Sequence, residues 1–334
     1  MTALERALSA PKNLTVDVLA QMLASSDEGL WREAFAAARE VKAKCGKTDV
    51  LPRGLIETSN VCAKDCLYCG IRKGNANVPR YMIPEAEAVA CVDEARRRGY
   101  PAVAFQAGEI ESEANTAYYE RLVSYAVGRA GSTTPPLEVT LSLGEQTEAA
   151  YRRWKDAGAM RYLIRIETSK RELYAKIHPA SCSFERRVGC IRTLKRIGYV
   201  TGSGVMIGLP GQTVEDLARD IVFYGDEGLD MVGMGPYVPH GETPLALLAA
   251  KEAQGGRKDV LEQSLRMIAL TRLYLWNVNI VAATALEALD PKSGRNRGIE
   301  AGANVVMPVL TPEKYRKGYD LYPGKTGRED APRT

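Results

Sequence analysis

The chain has 334 residues, of which 45% are hydrophobic and 26% charged, a balance typical of a globular protein with one large domain or two small ones. Its 45 basic and 41 acidic side chains give a net charge of +4, and they form no cluster of Lys, Arg and aromatic residues of the kind that binds nucleic acids. No apolar run approaches the roughly 18 to 20 residues that span a bilayer, and residues 1–12 lack a secretory signal. We therefore expect a cytoplasmic protein without nucleic-acid or membrane partners.

The first fifty residues show the apolar spacing of helices, with Leu19 and Leu23 on one face and Trp31 and Val41 on another. Short apolar runs then alternate with amphipathic segments over residues 52–310, which predicts eight parallel strands joined by helices. Such a chain can close into an α/β fold of the (β/α)8 TIM-barrel type, and an open doubly wound sheet is the alternative. The predicted strands cover residues 54–59, 102–107, 137–143, 162–167, 201–209, 231–238, 279–285 and 304–309. The predicted helices between them cover residues 84–98, 115–127, 146–157, 184–197, 214–227 and 260–275.

This pattern divides the chain into three parts. We expect residues 1–50 to pack on the barrel as helices, residues 51–312 to form the barrel, and residues 313–334 to close it, with a frayed end. Residues 128–136 are small and polar and predict a surface loop. Since the chain shows neither a heptad seam nor a long unpaired strand edge, a monomer is the expected state.

Three of the seven cysteines are bunched directly after the first predicted strand. Cys62, Cys66 and Cys69 have C-x3-C-x2-C spacing, which places three thiolates at the C-terminal mouth of a barrel, where barrel active sites lie. Thiolates bind iron–sulfur clusters and zinc, but structural zinc needs a fourth protein ligand, and both histidines of the chain are remote in sequence. The pattern favours one [4Fe–4S] cluster with an open iron over zinc or unliganded thiols. The scattered cysteines are interpreted as packing residues: Cys45, Cys91, Cys182 and Cys190.

The cysteine spacing, with Tyr68 directly before the last cysteine, resembles the motif of radical S-adenosylmethionine enzymes. The resemblance implies that the open iron binds the amino and carboxylate groups of S-adenosylmethionine, which one electron then cleaves to methionine and a 5′-deoxyadenosyl radical. Over roughly residues 50–325 the chain resembles the HydE family of [FeFe]-hydrogenase maturases. The segments that carry this resemblance are residues 56–60, 106–109, 141–145, 162–168, 208–213, 230–236, 302–308 and 321–325.

Several residues at predicted strand ends suit a cofactor site. Gly108 and Glu109 follow the second strand, where glycine lets the backbone approach a ligand amino group, although a tight turn would use the same residues. Arg165 and Glu167 alternate on the fourth strand and would bracket the cofactor, with Arg165 toward a carboxylate and Glu167 toward ribose hydroxyls. A structural salt bridge is the alternative for this pair. The resemblance adds further expected cofactor contacts: Tyr68, Ser142, Glu145 and Arg187.

On the substrate side, the resemblance implies that Arg53 and Thr284 hold the carboxylate and amino group of an amino acid. Met231 and Met307 would form soft, apolar walls, although ordinary core packing explains methionines equally well. The expected substrate-binding residues are Arg53, Gln106, Thr284, Met307 and Tyr322. The chain has Ala283 before Thr284 where the family usually has two threonines, so one hydrogen bond is missing or replaced.

The resemblance implies maturation of the [FeFe]-hydrogenase active site under anaerobic conditions. The substrate would be a cysteine-bound iron carbonyl–cyanide complex made by HydG, with HydF and apo-[FeFe]-hydrogenase downstream and ferredoxin or flavodoxin as reductant. A second cluster is not expected, because no cysteine follows Cys190. Biotin synthase needs cysteines inside the barrel, where this chain has residues such as Val139, Gly202 and Ser203.

Two other hypotheses stay open. The cysteine count does not exclude a carbon-skeleton mutase of the methylornithine synthase type. A non-catalytic iron–sulfur carrier would leave Arg165, Glu167 and Arg187 unexplained.

Overall fold

The computed structural model describes residues 14–128, 135–253 and 259–325. The strands of this part are β1 Leu51–Ser59, β2 Ala102–Ala107, β3 Glu138–Ser142, β4 Arg161–Leu163, β5 Val200–Ser203, β6 Met206–Ile207, β7 Met231–Val232, β8 Gly235–Pro236, β9 Asn279–Ile280 and β10 Val305–Val306. The helices are α1 Val16–Ala24, α2 Glu28–Lys44, α3 Glu85–Arg97, α4 Glu113–Ala126, α5 Glu148–Ala157, α6 Arg171–Ile177, α7 Phe184–Ile197, α8 Val214–Asp226, α9 Pro244–Ala253, α10 Val260–Leu275, α11 Thr284–Leu289, α12 Gly294–Glu300 and α13 Glu313–Arg316. Most of the predicted loop over residues 128–136 and of the predicted frayed end lies outside the described residues.

Eight parallel strands form one sheet in the order β10-β1-β2-β3-β4-β5-β7-β9. The two ends of this sheet meet where Val281 bridges Val305 in parallel register. The backbone N–H of Ala282 also donates to the carbonyl oxygen of Val305 at 2.9 Å. The sheet therefore closes into a (β/α)8 barrel, which confirms the predicted fold class and excludes the open doubly wound alternative.

Two predicted strands are interrupted near the mouth. After β5 and β7 the chain resumes pairing as the short strands β6 and β8. The interruption lies at Gly204, where a Cβ atom would stand only 2.0 Å from the carbonyl oxygen of Gly233. The two backbones touch at this level, and no side chain fits between them.

The predicted strand over residues 279–285 is wrong in its last part. Strand β9 ends at Ile280, and helix α11 begins at Thr284 after Ala283 in extended backbone. The run Ala-Leu-Glu-Ala-Leu consists of strong helix formers, and the apolar character that suggested a strand is shared by buried helices.

Helix α7 shows how local sequence sets an element's bounds. The Oγ of Ser183 accepts a hydrogen bond from the backbone N–H of Arg186 at 3.2 Å, which caps the first turn. Gly198 ends the helix in the left-handed region, with φ at 90°, where glycine carries no steric cost. These signals confirm the predicted bounds of residues 184–197 and fix a helix that presents Arg187 to the barrel mouth.

The main core lies between the barrel and its outer helices. Phe105, Tyr119 and Trp154 are fully buried there, and the indole N–H of Trp154 donates to the carbonyl oxygen of Thr116 at 2.9 Å. Burying a side chain of this size contributes on the order of 2 to 3 kcal/mol. The N-terminal helices extend this outer layer, since α1 packs against α8 and α10, and α2 packs against α10.

Residues 318–325 cross the barrel mouth after α13. The side-chain amide of Asn60 donates to the carbonyl oxygen of Gly318 at 2.6 Å, and the backbone N–H of Gly70 donates to that of Leu321 at 3.3 Å. Both anchors join this segment to the region around the cysteine loop. Among the described helices, none combines the length and the apolar character that crossing a membrane would require.

Candidate active site

A cavity of about 330 Å³ lies at the C-terminal ends of the barrel strands. The predicted cofactor and substrate residues all line it except Arg53 and Glu145, and Met231, which was expected to form an apolar wall, does not line it either. The lining members are Cys62, Cys66, Tyr68, Cys69, Gln106, Gly108, Glu109, Ser142, Arg165, Glu167, Arg187, Thr284, Met307 and Tyr322. We call this space the reaction cavity.

The three motif cysteines are free, half-buried and directed at one space. Burial raises the pKa of the Cys69 thiol to about 12, so the thiolate form needs the charge of a bound metal. In the parts of the chain that the structure describes, no three His, Cys, Asp or Glu side chains converge on a position for a single ion. Three thiols around a common cavity therefore fit a multi-iron cluster better than one zinc ion.

The cysteine loop is held by backbone contacts on two sides. The N–H of Glu109 donates to the sulfur of Cys62 at 3.3 Å, and the N–H of Leu67 donates to the carbonyl oxygen of Ile177 at 2.9 Å. A Cβ atom on Gly108 would stand 2.3 Å from the carbonyl oxygen of Val61. Glycine is required at this position because the turn after β2 lies directly against the loop.

A buried charge network lies behind the cysteine loop. Lys64 forms ion pairs with Glu109 at 3.1 Å and with Glu145 at 3.4 Å, and Arg187 donates to Glu145 at 2.8 Å. Burial alone would raise the pKa of Glu145, but Arg187 and Lys64 outweigh it and lower that pKa. The carboxylate of Glu145 is inaccessible to solvent and also contacts Arg186 at 3.1 Å. The structure thus places Glu145 behind the cavity, where it orients Arg187.

Arg165 and Glu167 pair with each other beside this network, since Arg187 also donates to the backbone carbonyl oxygen of Arg165. The prediction that both lie on the fourth strand is wrong, because β4 ends at Leu163 and the pair follows it. The Nε of Arg165 donates to both carboxylate oxygens of Glu167, at 2.9 and 3.0 Å, and its Nη2 donates to the carbonyl oxygen of Val205 at 2.9 Å. Glu167 has φ at 66°, which is uncommon for a residue other than glycine and typical of functional sites. Both side chains line the reaction cavity, so the salt bridge and the cofactor bracket are compatible.

The expected substrate-binding residues lie at two depths in the barrel. The hydroxyls of Thr284 and Tyr322 lie 2.5 Å apart in the cavity wall, and Met307 packs with the apolar residues of the barrel interior. Arg53 lies deeper, with Nη1 3.5 Å from the Oγ1 of Thr140 and 3.3 Å from the sulfur of Met231. Burial lowers the pKa of Arg53 to about 10. Arg53 is therefore a cation beneath the reaction cavity and not part of its wall.

Sequence reasoning missed four residues of this region. Lys64 stands inside the cysteine motif, and Glu57 shares the inward side of β1 with Leu55, so spacing could have identified both. Lys325 was named only within a segment that resembles the HydE family. It lines the cavity because residues 318–325 cross the barrel mouth. His178 contacts the hydroxyl of Tyr68 at 3.1 Å, a pairing that no local pattern indicates.

The cysteines of the chain support one further distinction. Among the described residues, only the three motif cysteines line the reaction cavity. Val139, one of the positions compared with biotin synthase, packs in the outer core rather than facing the barrel interior. In the described part of the chain, the cavity wall therefore provides no thiol beyond the three motif cysteines, and Cys182 contacts Cys66 from outside this wall.

Comparisons with known proteins agree with this site. The sequence model of the Radical SAM superfamily matches residues 56–223. The chain is 41% identical to the [FeFe] hydrogenase maturase subunit HydE of Thermotoga maritima over 314 residues, covering 94% of this chain and 85% of that protein. It is 31% identical to a biotin synthase of Anaeromyxobacter sp. (strain K), covering 90% of this chain and 82% of that protein.

Solved structures support the fold alone. The crystal structure of the [FeFe]-hydrogenase maturase HydG superimposes with a TM-score of 0.80 at 18% identity, covering 99% of this chain and 72% of that chain. Methylornithine synthase superimposes with a TM-score of 0.78 at 23% identity, covering 93% and 87%. The sequence matches show an enzyme that uses a [4Fe–4S] cluster and S-adenosylmethionine. The chain belongs to the radical SAM superfamily and, within its biotin synthase-like group, to the HydE family.

Proposed function

We propose that this enzyme matures [FeFe]-hydrogenase by acting on a cysteine-bound iron carbonyl–cyanide precursor. The HydE relative carries this maturation in its name and is similar over nearly the whole chain. The observation that carries the proposal is the reaction cavity itself, which has the cluster cysteines on one wall and the Thr284–Tyr322 pair on another. A substrate in this cavity would lie beside the bound cofactor and away from water.

The cofactor site is assigned to the residues around the cysteine loop. Cys62, Cys66 and Cys69 would hold the cluster, and when bound with S-adenosylmethionine it supplies a 5′-deoxyadenosyl radical. Arg165 would receive the carboxylate of S-adenosylmethionine, and Arg187 and Ser142 would make further contacts with this cofactor. Arg187 is suited to this because Glu145 fixes its guanidinium in one orientation.

Further cofactor contacts are assigned by chemistry and place. The backbone at Gly108 and Glu109 would face the amino group, and Glu167 would face the ribose hydroxyls on the other side of the bracket from Arg165. Tyr68 lines the cavity beside the cysteines and would pack against the nucleoside. The Arg165–Glu167 and Arg187–Glu145 pairs hold these side chains in fixed orientations. They would therefore orient the cofactor before the substrate binds.

The substrate would be held on the far side of the cavity. Thr284 and Tyr322 offer hydroxyls to its polar groups, Gln106 offers an amide, and Met307 gives an apolar wall. Arg53, which lies below, would act on a carboxylate through its charge. Ala283 removes one hydroxyl from this wall, which the adjacent Thr284–Tyr322 pair would replace.

The proposed partners follow from the same assignment. HydG would supply the precursor, HydF and apo-[FeFe]-hydrogenase would receive the iron units, and ferredoxin or flavodoxin would supply electrons. We assign the enzyme as a cytoplasmic monomer, with residues 51–312 forming the catalytic barrel and residues 313–334 closing it.

Anaerobic activation of apo-[FeFe]-hydrogenase with purified HydG and HydF tests the proposal. Hydrogen evolution that requires this enzyme and is lost in the Cys66→Ser variant supports it. The Cys91→Ser variant is the matched control, since Cys91 is buried in the outer core and should not affect activation. If S-adenosylmethionine is cleaved to deoxyadenosine while hydrogenase stays inactive, the proposed substrate is wrong. If an intact cluster yields no deoxyadenosine, cluster transfer replaces catalysis as the function.

A further inference from the structure

We propose that Lys325 is a substrate-binding residue whose ammonium group, positioned by Glu57, donates a hydrogen bond to a negatively charged acceptor group in the reaction cavity. This inference deepens the proposed function, because it names the chemistry by which this cavity recognises its substrate. Neither residue belongs to the cofactor or substrate contacts described above.

The first observation is the placement of the pair. Glu57 and Lys325 both line the reaction cavity, with side chains only 2% and 10% exposed, and they form an ion pair. The second carboxylate oxygen of Glu57 accepts a hydrogen bond from the Oγ1 of Thr311 at 3.3 Å. Two buried charges are costly to desolvate, so a pair in a cavity wall needs a compensating interaction.

The second observation concerns the hydrogens of the ammonium group. Lys325 donates to Glu57 and to the carbonyl oxygen of Tyr319 at 3.0 Å, and its Nζ lies 4.4 Å from the centre of the Tyr319 ring. A lysine ammonium has three N–H donors. The described residues provide oxygen acceptors for two of them, which leaves one donor for a ligand.

The other cations in the cavity wall are each paired with a carboxylate. Arg165 is paired with Glu167, and Arg187 is paired with Glu145. Lys64 is paired with both Glu109 and Glu145. Lys325 adds an N–H donor beside Glu57 of β1, with which it pairs. An anionic acceptor of the substrate, either a carboxylate or the nitrogen end of a cyanide-like ligand, matches this donor.

Lys325 also lines a neighbouring cavity of about 340 Å³, which it shares with Glu57 and Tyr319. Lys317 lines only that neighbouring cavity and not the reaction cavity. This difference provides a matched control, because Lys317→Met removes the same charge from the same region without changing the wall of the reaction cavity.

The test is anaerobic titration calorimetry on the reconstituted enzyme loaded with S-adenosylmethionine. The probes are L-cysteine for a carboxylate and sodium thiocyanate for a nitrogen-terminated anion. We expect Lys325→Met to weaken binding of one probe roughly 10- to 100-fold, as is typical when a charge-assisted hydrogen bond is lost. Lys317→Met should bind both probes like the parent enzyme. The probe that loses affinity identifies the acceptor.

Three results would overturn the inference: equal affinity in Lys325→Met, an equal loss in Lys317→Met, or no measurable binding of either probe to the parent enzyme. Since Lys325→Met leaves a buried carboxylate unpaired, the double variant Glu57→Gln with Lys325→Met serves where the single variant does not fold. It should show the same loss of affinity. A Lys325-dependent probe affinity combined with inactive hydrogenase would retain this binding site and reject the maturation proposal.

Discussion

The hydroxyl of Tyr68 donates a hydrogen bond to the Nε2 of His178 at 3.1 Å. The direction follows from the other ring nitrogen, since Nδ1 lies 3.0 Å from the carbonyl oxygen of Tyr174 and must carry the hydrogen. The imidazole is therefore neutral and is stacked on the Tyr174 ring at 3.9 Å. Burial, with the nearby charge of Arg187, lowers the pKa of His178 to about 4. His178 thus holds the aromatic residue of the cysteine motif in place.

Replacing His178 should remove a pH dependence of stability. Because its pKa falls from 6.5 to about 4 on folding, the neutral ring stabilises the fold fully above pH 6.5, and this contribution is lost as the pH falls toward 4. In His178→Phe, the decrease in the free energy of unfolding between pH 6.5 and pH 4 should be smaller than in the parent protein, by on the order of 2 to 3 kcal/mol. Urea unfolding at pH 7 and pH 4 measures it. Parallel stability curves for the two proteins would contradict the assignment.

Gly144→Ala should weaken binding of S-adenosylmethionine roughly tenfold or more, since a misplaced group at a prearranged site is costly. A Cβ atom there would stand 2.2 Å from Oε2 of Glu109, and the backbone φ of 72° adds strain. The control is Gly99→Ala, where φ is 68° but no atom lies within 4 Å. That variant should lose about 1 kcal/mol of stability and keep its affinity. Equal affinities in equilibrium dialysis would show that Glu109 does not order the site.

Arg187→Met should destabilise the protein by roughly 3 to 5 kcal/mol, because it leaves the buried Glu145 carboxylate without its closest cation. Arg192→Met on the same helix is the control. Arg192 is 67% exposed and pairs with Glu227 at 2.7 Å, an interaction worth at most about 1 kcal/mol. Thermal unfolding compares the two. A loss in Arg187→Met no larger than in Arg192→Met would mean that Lys64 and Arg186 already neutralise Glu145.

Cys62→Ser, Cys66→Ser and Cys69→Ser should each abolish stable cluster binding, whereas Cys190→Ser should retain it. Cys190 is buried in the core beside α5 and does not line the reaction cavity. Iron and sulfide analysis after anaerobic reconstitution measures the difference, and the visible absorption of the cluster provides a second signal. Normal iron content in any of the three motif variants would require a different ligand set.

The sequence predicted the elements whose signals are local. The bounds of β2 and α7 were correct because the apolar runs and the caps at Ser183 and Gly198 are contained in the segments themselves. The cysteine loop could be predicted for the same reason, since the spacing of its three cysteines is contained in one short segment. Strands β5 and β7 were predicted too long, because they are interrupted by the contact of Gly204 with Gly233. This contact forms only between neighbouring strands of the folded barrel.

The charge network illustrates what could not be predicted. Lys64, Glu109 and Glu145 follow three different strands, and their contacts exist only once the barrel has brought those strand ends together. Glu57 and Lys325 are 268 residues apart, and no periodicity relates them. Glu145 was expected at the cofactor because its segment resembles the family, but the sequence does not reveal which carboxylate faces the cavity and which orients an arginine.

The cysteine loop is synthesised long before the segment that crosses the barrel mouth, and this order affects when the cluster can be inserted. The Asn60–Gly318 hydrogen bond joins the region of the cysteine loop to the segment over the mouth across 258 residues of sequence. At about 5 to 20 residues per second, the thiols are synthesised roughly 10 to 50 s before the segment that covers them. Donors of iron and sulfide therefore have tens of seconds in which the three thiols are on the nascent chain without the covering segment. After that, cluster insertion must compete with the closed mouth.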